Sequence, residues 1–134
     1  MRARQFLALA MWLPFMGCSG VDHDLPPAYR RVEVPQARLD SAAAQQHGHQ
    51  LFLEHCALCH GQRGDGHGER AEGLSTKPAD FTSPAWRRQV SPRRVFYTIR
   101  EGVHGTAMPS WKALDESDAW DLAAYVLSVA GERS

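Results

Sequence analysis

The chain has 134 residues, with 15 basic and 15 acidic side chains, enough for one domain and some extension. That balance leaves no basic excess of the kind a nucleic-acid surface requires, so nucleic acid is not an expected partner. Three cysteines, two of them in one short motif, are too few for a disulfide framework.

Met1-Arg2-Ala3-Arg4 is a basic start, and Phe6 to Met16 is an uncharged apolar run. At about 11 residues the run falls well short of the ~20 that cross a bilayer. A positive start, a short apolar stretch and a small residue after it read as a signal peptide over residues 1–17. Pro14 and the lack of a polar face argue against a core helix. Gly17-Cys18 follows directly. A Cys here resembles the lipobox of bacterial lipoproteins, although Phe15 stands where Leu is usual. The resemblance implies lipidation at Cys18, an exported protein on the periplasmic side of the envelope, and a lipid anchor in a membrane. Ordinary cleavage nearby is the other reading. Loss of residues 1–17 takes Arg2 and Arg4 and no acid, so the remainder is slightly acidic.

Residues 18–40 hold Pro26, Pro27 and Pro35 and show no sustained periodicity. They read as a tether that could extend roughly 70 Å. Tyr29 and Val32 leave open an arm packed on the domain.

The domain is expected over residues 41–134. Asp40 or Ser41 can cap a first helix whose face carries Ala44, Gly48, Leu51, Phe52 and His55. Residues 61–80, rich in Gly and polar groups, read as loop and contain no Gly-Lys-Ser/Thr phosphate cradle. Ser91-Pro92 opens a second helix with a cap followed by Pro at the first position, Val95, Phe96 and Ile99 make its stripe, and Gly102 stops it. Asp115 with Asp118 has the spacing of a capping box. Leu122, Tyr125, Val126 and Val129 follow at helical spacing, with Gly131 as the stop. No run alternates as a strand, so the expected fold is all-α.

Cys56-Ala57-Leu58-Cys59-His60 is C-x-x-C-H, the attachment signature of c-type haem. Two thiols three positions apart on a helical turn reach two vinyl groups of one porphyrin, and the adjacent imidazole is placed under the iron. A thioredoxin-like C-x-x-C needs a βαβ pattern, which is missing. A zinc site could draw on His55 or His67 but lacks the second Cys or His pair. Of four methionines, Met1, Met11 and Met16 lie in the signal peptide and only Met108 remains. It sits in a Gly/Pro loop between two helices, where a ligand role is more expected than core filling. His/Met axial ligation is the pattern of cytochromes c.

Across residues 41–130 the sequence resembles the class I cytochromes c. The resemblance is carried by His55-Cys56 through Gly61, by Gly64-Asp65-Gly66 with Gly68, by Lys77-Pro78-Ala79-Asp80-Phe81, and by Gly105-Thr106-Ala107-Met108-Pro109-Ser110-Trp111. It implies helices wrapped around one covalent haem c. The first and last helices would cross at Gly48 and Phe52 against Leu122 and Tyr125. Cys56 and Cys59 would be the attachment points and His60 and Met108 the axial ligands. His60 would bind through Nε2 and donate Nδ1–H to a carbonyl, with Pro78 as candidate. Trp86 and Trp111 would wall the propionates and Arg93 or Arg94 would pair one, with core packing and plain solvation as the alternatives. The implied function is single-electron transfer, not catalysis, with redox proteins of the cell envelope as partners and the chain a monomer or a subunit of a complex. Arg87, Arg88, Arg93, Arg94 and Arg100 could form a docking patch, or simply a solvated face. The rival readings are a haem subunit of a larger oxidase or dehydrogenase, and a peroxidase or gas-binding protein with His104 or Arg100 as distal group.

Overall fold

The computed structural model of the chain describes residues 22–130, so the expected signal peptide, Cys18 and Gly131 lie outside the described residues. Seven α-helices and one 3₁₀ turn make up the regular structure among them, without a strand. Two single-turn helices come first, α1 (Pro27–Arg30) and α2 (Gln36–Leu39). The long α3 (Ala42–His55) and the single turn α4 (Ala57–His60) follow. After a glycine-rich loop with the 3₁₀ turn Ala71–Gly73 come α5 (Pro84–Gln89), α6 (Pro92–Glu101) and α7 (Glu116–Val129). The all-α expectation holds.

Local chemistry accounts for the helix ends. Ser41 caps α3 by accepting from the Ala44 N–H, and Ser91 caps α6 by accepting from Arg94 N–H at 3.0 Å, with Pro92 in the first turn. Gly102 ends α6 with φ of 70°, a left-handed conformation that only glycine adopts cheaply. At α7 the expected capping box is absent. Asp115 occupies the N-cap position, but its side chain makes no cap hydrogen bond. Asp118 instead turns toward His47, with a carboxylate oxygen 3.9 Å from Nδ1.

The core forms where α3 crosses α7 and α6 closes over them. Phe52 is 0% and Leu122 1% exposed, and the rings of Phe52 and Tyr125 lie 5.1 Å apart. Gly48 lets the two backbones touch at this crossing, since a Cβ there would lie 1.9 Å from the Asp121 carbonyl oxygen. Phe96 of α6 stacks flat on Trp120 of α7, with 4.1 Å between ring centroids.

Residues 22–40 correct the tether reading. They lie against the domain. Leu25 and Leu39 are 2% and 6% exposed, and burying such side chains contributes about 1.5–3 kcal/mol each. Tyr29 packs edge-on to Tyr97 at 4.8 Å, Arg93 Nε donates to the Val32 carbonyl at 2.8 Å, and Arg38 Nε donates to Asp121 at 2.8 Å. Ser91 bonds Asp22 and Arg94 pairs with Asp24. The apolar residues of this arm are spaced without a period, so each reaches its own site on the domain instead of forming a helical stripe.

Candidate functional site

Cys56 ends α3, its N–H still donating to the Phe52 carbonyl at 2.8 Å. The chain then makes the one turn of α4, which puts Cys56 and Cys59 on the same side and brings His60 beside them. His60 is fixed from two directions. Its ring stacks on Phe81 at 4.6 Å and 19°, and Nδ1 lies 3.2 Å from the Ala79 carbonyl oxygen. A carbonyl can only accept, so Nδ1 carries the proton and Nε2 keeps its lone pair. The carbonyl is that of Ala79, one residue beyond Pro78. The loop is set by Phe81 N–H donating to the Gly64 carbonyl at 2.7 Å, which brings the Ala79 oxygen under the imidazole.

Both groups are poised as neutral donors. Burial pulls the His60 pKa below the usual histidine value, against the opposing effect of the Ala79 hydrogen bond. Burial, and then the neighbouring Cys59, pushes the Cys56 thiol up to about 12. An uncharged thiol of this kind is slow in disulfide exchange.

Met108 reaches the same place from the other end of the domain. Its loop runs from Gly102 to Asp115 and hangs on the end of α6. Val103 N–H donates to the Met108 carbonyl at 3.1 Å, and Met108 N–H donates to Thr106 Oγ1 at 3.2 Å. Trp111 N–H donates to the Ile99 carbonyl at 3.0 Å, and Arg100 donates to the Leu114 carbonyl at 2.6 Å.

Cys56, Cys59, His60 and Met108 all line one cleft, with about 1210 Å³ of atom-free space including its mouth. Phe52, Leu122 and Val126 form its floor, and Phe81, Trp86, Val95 and Ile99 stand along its walls. Two thiols at i and i+3, an imidazole with a free Nε2, a methionine lining the cleft from another segment and an apolar wall form a donor set that fits a covalently attached haem. Of the arginines expected near a propionate, Arg94 lines the cleft and pairs with Asp24, whereas Arg93 is committed to Val32 and to Asp22. Trp86 is in the wall. Trp111 packs instead on His55, ring centroids 4.9 Å apart, outside the lining. The distal groups of the gas-binding reading are not in the cleft. Arg100 serves the loop, and His104 is exposed. Arg93 and Arg100 thus serve contacts between segments, Arg94 both lines the cleft and pairs with Asp24, and Arg87 and Arg88 are the exposed pair on α5.

An all-helical domain that gathers a C-x-x-C-H turn and a lone methionine around one apolar cleft is a c-type cytochrome. The chain belongs to the family described as cytochrome C oxidase, cbb3-type, subunit III, whose model matches residues 43–126. It is 33% identical to thiosulfate dehydrogenase of Stutzerimonas stutzeri over 129 residues, an alignment spanning 90% of this chain and 37% of that protein. It is 32% identical over 95 residues to the cbb3-type cytochrome c oxidase subunit CcoP of Azospirillum brasilense, spanning 70% of this chain and 31% of that one. Among solved structures, the Kuenenia stuttgartiensis reducing HAO-like protein complex contains a similar chain. The TM-score is 0.60 at 30% identity, covering 66% of this chain and 44% of that one. The chain thus spans about a third of the length of these curated relatives. The family implies covalently bound haem c, electron transfer is the role of a domain of this kind, and such proteins work on the periplasmic side of a membrane. No helix of the described residues is long and apolar enough to cross a membrane.

Proposed function

We propose that this chain is a single-haem electron carrier of the cell envelope. Cys56 and Cys59 are its attachment points, His60 Nε2 and Met108 its two axial ligands, and Cys18 its lipidated anchor. The observation that carries the reading is the convergence of both thiols, an imidazole tied to Ala79 and the Met108 loop on one apolar cleft. Haem, when bound, supplies a one-electron Fe(III)/Fe(II) couple. Met108 offers a soft, neutral thioether, which favours the less charged ferrous form, and the apolar wall acts in the same direction. The hydrogen bond from His60 to Ala79 fixes the tautomer and makes Nε2 a stronger donor. With His60 and Met108 both holding the haem, little would have to move when its charge changes.

The test is spectroscopic. Protein matured in a host that attaches c-type haem should carry one haem per chain and show a thioether-to-ferric-iron charge-transfer band. Met108→Ala should abolish the band, lower the potential and admit CO. A normal spectrum in that variant overturns the axial assignment.

A second reading has its own support: the chain spans about a third of relatives that include a dehydrogenase and an oxidase subunit. It would then be the haem module of a larger redox complex, passing the same electron to a fixed partner. A stable partner co-purifying with the full chain from its native membrane would favour this arrangement over a free carrier.

A further inference from the structure

Glu101 is the last residue of α6, one position before the loop that carries Met108. Its two carboxylate oxygens serve two different segments. Oε1 accepts from Tyr29 Oη at 2.5 Å, and Oε2 lies 2.6 Å from Lys112 Nζ. Tyr29 belongs to the N-terminal arm and Lys112 to the Met108 loop, so one carboxylate joins three stretches of chain.

We propose that Tyr29 is a positioning residue for the electron-transfer site: through Glu101 it grips Lys112 and keeps the Met108 loop closed over the cleft. The proposal rests on the reading of Met108 as an axial ligand.

The physical reason lies in what the carboxylate would be without the phenol. Lys112 is 60% exposed, and an exposed lysine gains little from a freely rotating partner because two long side chains must be ordered to make the pair. Tyr29 removes half of that cost. Its ring is itself fixed against Tyr97 at 4.8 Å and Phe96 at 6.2 Å, and its hydroxyl pins Oε1, so Oε2 is already aimed at the loop. The Glu101 side chain is 21% exposed, which strengthens both bonds relative to a fully solvated pair. Besides the packing of Trp111 on His55, the loop is held by hydrogen bonds to α6, Trp111 to Ile99, Ser110 to Arg100 and Leu114 to Arg100. Tyr29 is the residue that brings the arm into this set.

The experiment uses the haem-loaded full chain in its ferric form. Imidazole is titrated in, and loss of the thioether-to-iron band reports displacement of Met108. Tyr29→Phe should raise imidazole affinity about tenfold, as expected for one hydrogen bond to a charged group. Lys112→Met, a surface change, should do the same. The double variant should bind little tighter than either single one, because both act on one carboxylate. Arg38→Gln loosens the arm at its other end, where Arg38 meets Asp121, and should lower stability while leaving imidazole affinity within about twofold. Wild-type affinity in Tyr29→Phe, or an equal rise in Arg38→Gln, overturns the positioning role. A wild-type protein that lacks the band overturns the Met108 reading itself, and this proposal with it.

Discussion

Gly48 and the carbonyl of Asp121 touch where α3 crosses α7, so closely that a Cβ on residue 48 would lie 1.9 Å from that oxygen. The obstacle is backbone, so it cannot swing aside. The two helices that hold the site are thereby locked at a separation set by the absence of one methyl group.

Gly48→Ala should therefore push α3 and α7 apart, although alanine is the better helix former by up to about 1 kcal/mol. Overpacking of this kind costs about 1–3 kcal/mol, and the net effect should be a loss of stability. Urea unfolding followed by helical circular dichroism measures it. Unchanged stability would mean that the crossing is not as tight as described.

Phe81→Leu addresses the wall beside the imidazole. The ring stacks on His60 and packs on Trp86 at 4.8 Å and on Phe52 at 6.2 Å. Leucine fills part of the space but leaves one face of the imidazole loose and wet. The expected outcome is a loss of about 1–3 kcal/mol in unfolding free energy and a lower midpoint potential, since water stabilises the ferric charge. Voltammetry of the loaded protein reads the second effect, and an unchanged potential would deny Phe81 that role.

Much of this was legible in the chain itself, and the failures share a cause. The three long helices announce themselves through period and punctuation: Ser41 and Ser91 as caps, Pro92 in the first turn, Gly102 at the stop. Cys56, Cys59, His60 and Met108 stood out because their residue types are rare in the spacing and loop where they occur. What escaped depends on contacts between distant segments. Leu25, Tyr29 and Leu39 have no shared period, so only the surface they meet reveals that the arm is packed. Ala79 differs from Pro78 by one peptide, a choice made by the Phe81-to-Gly64 hydrogen bond. Asp115 and Asp118 have the right spacing for a box, yet the pull of His47 on Asp118 is a tertiary effect. Arg93 and Arg94 look like free cations until Asp22 and Asp24 are seen beside them.

Cys18→Ser tests the proposed anchor independently of the haem. Lipidation would hold the wild-type protein in the membrane fraction, and serine cannot carry the thioether-linked lipid. The variant should move to the soluble periplasmic fraction with its spectrum intact. Fractionation that does not change would rule out Cys18 as the anchor and leave the rest of the assignment standing.

The bond between Tyr29 and Glu101 also has a signature in alkaline stability. Burial, and next the hydrogen bond to Glu101, raises the Tyr29 phenol from 10.0 to about 12. The folded protein therefore holds this proton more tightly than the unfolded chain does. The resulting stabilisation is fully present below pH 10, where the unfolded chain's phenol is also protonated, and is lost as pH rises toward about 12. Tyr29→Phe has no proton to lose there. The wild type's advantage over this variant should thus be constant through neutral pH and shrink steadily in strong alkali. On the acid side, Lys112 first and Tyr29 second hold the Glu101 carboxyl below the ordinary glutamate value. The stabilisation from Glu101 is present above that value and is lost as pH falls through its depressed one, so Glu101→Gln should flatten the acid limb. Unfolding free energies measured across pH for both variants would decide it. A Tyr29→Phe deficit that persists undiminished at the alkaline end would show that folding does not raise the phenol's pKa.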